Sequence, residues 1–306
     1  MNTENRTSLS DEQRQEVIAW STFGALTLLL LWGYWNTLAH VAGGWDNAQY
    51  SHGYLIPLFA AVLMWLRREK IGEVAPAARW TGVALLSGSL LVRGISSYYS
   101  IATFDSLSFV SALAGILLIV GGWRMMVWAG PAVGFLVFMV PWPMAMERAI
   151  LDPLQKFASV CSTYALQTMG LDVYREGTKI MLRAMPLNVV DACSGLRMAT
   201  IFLALSVAVV LITSRPWWEN VVILASAIPI AITVNVIRII ITGLCYEFQK
   251  EGSDLAGIIF HDIAGYIMMP IALGLLYLEC VILSNLLIDV EPKQHVRFGG
   301  GAPRPI

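Results

Sequence analysis

Asp191-Ala192-Cys193-Ser194-Gly195-Leu196-Arg197 leads directly into an apolar run, Met198 to Thr213. From Gly195 onward that run is about as long as one bilayer crossing, which takes roughly 20 residues. The polar heptapeptide therefore stands where a membrane helix begins. Four residues separate Cys193 from Arg197, one helical turn, which puts the guanidinium about 6 Å along the axis on the thiol's own face. A thiol at a helix N-terminus beside a guanidinium has both influences that favour the thiolate, the nucleophilic form. In isolation the same residues describe a small buried hydrophobe and an arginine that snorkels to an interface. The remainder of the chain weighs against that reading.

Hydrophobic residues make up 57% of the chain and charged residues 13%, about half the charged fraction of an average soluble domain. With 11 Trp and 25 Gly, this is the composition of an all-α integral membrane protein. The net charge of −1 says little about partners, and no basic tract points to nucleic acid. Cys161, Cys193, Cys245 and Cys280 show no CxxC spacing and no histidine-rich ligand pattern, so neither a metal nor a cofactor is expected. Cys280 reads as packing; whether Cys161 and Cys245 pair is left open by sequence.

About eight transmembrane helices are expected. They are Val17 to Leu38, the run that follows Ser51-His52-Gly53 and ends at Trp65, Trp80 to Ser96, Leu107 to Gly122, Met125 to Val140, Gly195 to Thr213, Glu219 to Leu244, and Asp262 to Leu287. Residues 1–16 read as an uncleaved cytoplasmic segment, 17–288 as the membrane domain, and 289–306 as a disordered cytoplasmic tail. Between spans five and six, 141–190 is too polar to span and reads as a periplasmic-side lid or platform. Within it Ile150, Leu154, Phe157, Cys161 and Tyr164 recur at helical spacing, the pattern of an interfacial helix. Val173-Tyr174 and Ile180-Met181-Leu182 flank Glu176-Gly177 as a small hairpin, and Leu187 to Val190 is strand-like. Arg67, Arg68, Lys70, Arg79, Arg124 and Arg215 collect on one side, which the positive-inside rule makes cytoplasmic, with both termini there.

Axial arithmetic then brings distant residues to one level. Span six starts outside at Cys193 and reaches Arg215 about 33 Å later; span seven starts inside at Glu219, so Arg238 lies about 28 Å on, near the outer surface. Span eight starts outside at His261. Cys193, Arg197, Arg238 and His261 thus converge on one outer level, with Arg93 at a similar depth. Ionisable groups inside spans are costly and mark function. His261 is the histidine that could serve Cys193 as its base, and Arg238 or Arg197 could hold an oxyanion or a carboxylate. Asn235 stands one turn before Arg238. Asp191 is a further candidate to orient His261. For each residue alone the structural reading (capping, snorkelling, packing) is the commoner one; their common level favours a site.

Ala192-Cys193-Ser194-Gly195-Leu196-Arg197, then Asn235-Val236-Ile237-Arg238, then His261 at the mouth of the last span resemble the exosortase/archaeosortase family in order and spacing. Tyr50-Ser51-His52-Gly53 resembles the family's N-terminal region. The resemblance implies a membrane cysteine transpeptidase acting on proteins that carry a C-terminal sorting tail: a short motif, often Pro-Glu-Pro-like, then a transmembrane helix and a basic cluster. It implies Cys193 as nucleophile, His261 as acid/base and Arg238 as transition-state stabiliser. Arg197, Asn235 and His52 are the substrate-side candidates. The acceptor would be a lipid- or polysaccharide-linked nucleophile, the location the bacterial inner membrane, and the active site periplasmic. Hydrolytic release by an intramembrane cysteine protease is the rival reaction. A transporter with an Arg197/Arg238 anion site is the rival class, disfavoured because such sites lie near the midplane between repeats.

Overall fold

The computed structural model describes residues 11–47, 50–72, 74–183, 186–189, 195–213, 215–247 and 264–286. Cys193, His261 and Asp191 lie outside them. The chain is an essentially helical membrane protein. The stretches 13–33, 102–139 and 217–247 are long and apolar enough to cross a bilayer, and shorter apolar helices cover 51–66, 199–212 and 273–285.

The first half is a bundle of five helical elements. Helix α1 (Asp11–Gly33) ends at Tyr34, which leaves helical geometry at φ −97°, ψ 13°, and α2 (Trp35–Gly44) continues beyond it. The single span expected over 17–38 is therefore broken. The break is held from three sides. Tyr34 is fully buried, its ring is 5.5 Å from that of Phe109, and its hydroxyl is 2.9 Å from Ser108 Oγ. The Gly33 carbonyl accepts a hydrogen bond from Arg93. A 3-10 turn (Ser51–Tyr54) feeds α3 (Leu55–Leu66), and α4 (Pro76–Tyr98) starts on a proline, whose missing N–H costs nothing in a first turn.

Helix α5 (Ala102–Phe135), extended by a 3-10 turn (Leu136–Met139), folds back on itself at Gly122. Its φ of 63° and ψ of −159° belong to a region essentially closed to side chains other than glycine's hydrogen. A straight 102–139 helix would be about 57 Å long. Instead Thr103 Oγ1 donates to the Pro141 carbonyl at 3.3 Å, so the two arms run antiparallel, matching the two separate runs expected over 107–122 and 125–140. Helix α4 lies against the first arm with almost no spacing: a Cβ on Gly82 would stand 2.8 Å from the Gly115 carbonyl oxygen. Small residues at such a crossing let two membrane helices bring their backbones together. Ala112, Ile116, Leu117, Met125 and Ala129, all essentially inaccessible, form the core of this bundle.

In the second half α6 (Met144–Thr168) is followed by a three-stranded antiparallel sheet in order β1 (Tyr174–Glu176), β2 (Lys179–Met181), β3 (Pro186–Asn188). Tyr174 pairs with Met181, Ile180 with Leu187, and Gly177 makes the turn at φ 63°. The hairpin read from sequence is present, and the strand expected from Leu187 onward pairs with it as β3. Three further helices lie among the described residues: α7 (Gly195–Ile212), α8 (Trp217–Glu247) and α9 (Ala264–Leu286). Helix α7 lays Ala204 and Ala208 on the core of the first bundle.

Helix α6 is built inside out. Ile150, Phe157, Val160 and Tyr164 are exposed, whereas Gln155, Ala158, Ser159, Ser162, Thr163 and Leu166 are buried. Its small and polar face packs on α8, where Ser162 Oγ lies 3.5 Å from the Val236 carbonyl and Leu166 seats on Gly243. The serine and threonine hydroxyls on this face satisfy themselves on their own helix, Ser159 on Lys156 O and Thr163 on Ser159 O. The apolar stripe noted in the sequence is therefore the face turned away from the protein, as contact with lipid requires.

Candidate functional site

Helix α8 carries the clearest polar feature of the second half. Asn235, Arg238 and Thr242 are 6%, 5% and 7% exposed, and their spacing of three and four residues stacks them on one face. Ile239, fully buried, lies on the same side. Thr242 donates to the Arg238 carbonyl at 2.8 Å, a bond that closes within the helix. Asn235 Oδ1 has no hydrogen-bond partner among the described residues. A buried amide oxygen without a donor costs roughly 1–3 kcal/mol, and helix interiors keep such an atom when a ligand or mechanism uses it.

The neighbouring helices can be levelled against this pair. Phe202 of α7, Ala231 and Val234 of α8, and Leu275 of α9 share one packed layer. The short loop 213–216 makes α7 and α8 antiparallel. From Phe202 back to Arg197 is then about 7.5 Å toward the sheet end, close to the rise of about 6 Å that separates Val234 from Arg238. Arg197, in the first turn of α7, thus shares a level with Asn235 and Arg238. On the far side, Ser226 Oγ donates to Glu279 Oε2 at 2.6 Å and Arg215 reaches the Cys280 carbonyl at 3.4 Å, so α9 is also antiparallel to α8. Its first residue, Ala264, comes level with the last turn of α8, about 16 Å beyond Leu275. Cys193 lies just before α7 in sequence and His261 just before α9; both fall outside the described residues.

The remaining sequence candidates separate from this level. His52 sits in the 3-10 turn before α3, half-buried, facing the Phe138 backbone carbonyl, with Nδ1 enclosed and unpartnered. Burial lowers its pKa below the ordinary imidazole value, partly offset by that carbonyl. Arg93 is engaged elsewhere. Its guanidinium stacks 3.9 Å over the Tyr34 ring, hydrogen-bonds the Gly33 carbonyl and stands 3.9 Å from Asp105. Asp105 Oδ2 in turn accepts from Thr37 at 2.6 Å. Cys161, Cys245 and Cys280 are free thiols, so Cys161 and Cys245 are not paired. Among the described residues no His/Cys/Asp/Glu group could hold a metal ion.

Sequence reasoning passed over Asp105 and Glu247. Asp105 is a carboxylate at the start of an apolar run, a signal that was legible; Glu247, whose Oε2 is enclosed without a partner, ends α8 where no motif marks it. It also passed over Asn47, Thr103 and Trp142, which with Tyr50 of the Tyr50-Ser51-His52-Gly53 motif line a cavity between α2, the start of α5 and the Pro141-Trp142 segment.

Residues 44–278 match the family model of the transmembrane exosortases (Exosortase_EpsH). No curated protein and no solved structure matches the chain.

Proposed function

Because the chain belongs to the transmembrane exosortase family, we propose that it is an intramembrane cysteine transpeptidase acting on proteins with a C-terminal sorting tail. The Cys193 thiolate attacks the carbonyl carbon of the scissile peptide bond, and the oxyanion that forms is held by the buried Arg238 guanidinium. His261 gives its proton to the departing amine, the C–N bond breaks, and a thioester remains on Cys193. An acceptor nucleophile, lipid- or polysaccharide-linked, then loses its proton to His261 and attacks the thioester carbonyl, freeing the thiol. Asn235 and Arg197 position the substrate. The chain sits in a bacterial inner membrane with both termini cytoplasmic and the site periplasmic; 141–190 covers the thioester and favours transfer over water.

The observation that carries this reading is the buried pair on α8: Arg238 one turn from Asn235, whose Oδ1 lacks a donor among the described residues, near the level of the first turn of α7. A charge kept at that depth is costly without a task. The two arginines lie toward one end of the bundle, unlike a midplane anion site.

The test is co-expression with a tailed protein of the same organism, with wild type compared to Cys193→Ala, His261→Ala and Arg238→Ala. Uncleaved, membrane-held substrate is expected with all three variants, and normal processing by Cys193→Ala removes the nucleophile. A modified, retained C-terminus on the product identifies transfer; a free acid identifies hydrolysis.

A further inference from the structure

Two cavities on the first bundle join end to end. The larger, about 810 Å³, lies between α1–α2 and α3, with α5 as its floor. Leu31, Ala60, Leu113, Val133 and Leu136 are typical of its walls, and no described residue of the lining is charged. The smaller, about 520 Å³, opens at the end of α1 and α3 where Arg68, Lys70 and Arg124 collect. Ala61 and Met64 line both, so the two form one groove with unlike ends. At the far end the Trp45 indole donates to the Met139 carbonyl at 2.9 Å. Its ring rests on Gly53, where a Cβ would stand 2.3 Å from it. Trp45 and Met139 both line the larger cavity, and their bond is a bar across it.

The near end is charged. Glu16 stands on the α1 wall, and Arg68, Glu69 and Lys70 follow the end of α3. The Arg68 guanidinium stacks 4.0 Å over the Trp65 ring, a contact that holds it at the mouth. Glu69 lies 3.5 Å from Arg124, which leaves Arg68 and Lys70 as the cations of the mouth and Glu16 as its anion. From Arg68 back to Pro57 the α3 face rises about 16 Å, close to half the roughly 30 Å hydrocarbon core. One leaflet's acyl chain fits that depth. A spanning peptide helix does not, since it would need the whole core and would meet the Trp45–Met139 bar. The mouth narrows the class further. An amphiphile with a single negative charge leaves Glu16 unanswered, whereas a headgroup carrying phosphate and ammonium answers both signs.

We propose that this groove holds a zwitterionic phospholipid from the leaflet at the basic end of the bundle. Its phosphate lies between Arg68 and Lys70, its ammonium meets Glu16, and one acyl chain runs past Ala61 and Met64 to the Trp45–Met139 bar. The Trp20 and Trp65 rings, which line the mouth, flank the glycerol level, the depth at which membrane proteins place indoles. The assignment does not rest on the peptidase reading, because neither Cys193, Arg238 nor His261 takes part in it.

In the experiment the full chain, purified in mild detergent, is titrated with phosphatidylethanolamine, phosphatidylglycerol or diacylglycerol, and native mass spectrometry reads the lipid-bound fraction. One tightly held phosphatidylethanolamine is expected, with phosphatidylglycerol about tenfold weaker and diacylglycerol weaker still, the scale of a charge-assisted hydrogen bond. Arg68→Ala/Lys70→Ala should weaken phosphatidylethanolamine about tenfold or more, and Glu16→Gln should erase its preference over phosphatidylglycerol. Ala61→Trp puts a ring in the neck shared by the two cavities and should abolish the tight lipid. Val62→Trp, on α3 but outside the lining, should leave it in place. Monodisperse elution on size exclusion shows that each variant keeps its fold, and the exposed mouth residues test the proposal even where Ala61→Trp fails this check. Phosphatidylglycerol or diacylglycerol held as tightly as phosphatidylethanolamine, or binding unchanged in Arg68→Ala/Lys70→Ala or in a folded Ala61→Trp, overturns the proposal.

Discussion

Gly122→Ala gives opposite signs for two architectures of residues 102–139. If that stretch were one straight helix, alanine in place of an interior glycine would stabilise it by about 0.5–1 kcal/mol. At φ 63° and ψ −159° the methyl group instead enters a backbone region with a cost of order 1–3 kcal/mol. The new Cβ would also stand 3.2 Å from Val74 Cγ1 and 3.6 Å from Ala78 Cβ, tighter than comfortable against a β-branched side chain packed at the start of α4. The expected net effect is a loss of about 1–3 kcal/mol, which for a chain of this size lowers Tm by roughly 2–6 °C. Gly134→Ala is the internal control. It lies on the second arm with nothing within 4 Å of a built Cβ, so it should be neutral or gain up to about 1 kcal/mol. Tryptophan fluorescence against temperature in a mild detergent measures both, with size exclusion confirming an unchanged oligomeric state. A Tm for Gly122→Ala at or above wild type would refute the reversal and the two-arm reading of α5 with it.

Other expectations follow from contacts elsewhere. Gly82→Ala would push a methyl to 2.8 Å of the Gly115 carbonyl oxygen; backbone cannot rotate away, so α4 must shift, and thermal unfolding should show a loss of about 1–3 kcal/mol. Asp105→Leu leaves Arg93 without its anion and should destabilise by about 2–4 kcal/mol, whereas Arg93→Leu/Asp105→Leu together should cost less than either alone, a non-additivity that a double-mutant cycle reads directly. His52 gives a pH signature. Its folded pKa is lowered by burial, so below about pH 6.5 the unfolded chain takes up a proton that the folded chain refuses. Stability contributed above that pH should fall as pH drops from 7 toward 5, and His52→Gln should flatten the slope of Tm against pH.

Much of the architecture was legible because bilayers force simple rules on sequence. Apolar runs of sufficient length located α4, both arms of α5, α7 and α8, and Glu176-Gly177 located a hairpin turn. What escaped was set by tertiary contacts. The break at Tyr34 has no proline and no polar cluster to announce it; it exists because Arg93, from a helix about sixty residues away, takes up the Gly33 carbonyl. Helix α6 kept to its reading, with the apolar stripe turned away from the protein; what the stripe did not announce is that the face packed on α8 is the one with Ser159, Ser162 and Thr163.

The site shows the same division. Asn235 and Arg238 were recognisable as costly residues in an apolar run, and the structure adds that their cost is real: both are enclosed, and one amide oxygen has no donor among the described residues. Arg93 looked equivalent in depth, yet its charge is answered by a carboxylate, a carbonyl and a ring. Depth alone therefore does not mark an arginine as part of a site. Arg93 closes its contacts on the end of α1, on Tyr34 at the break and on α5, and so holds the first bundle in one shape. On α8 the Asn235 oxygen, without a donor among the described residues, stands one turn from Arg238 near the level where α7 begins, and under the transpeptidase proposal it is the acceptor that a substrate's peptide N–H would fill.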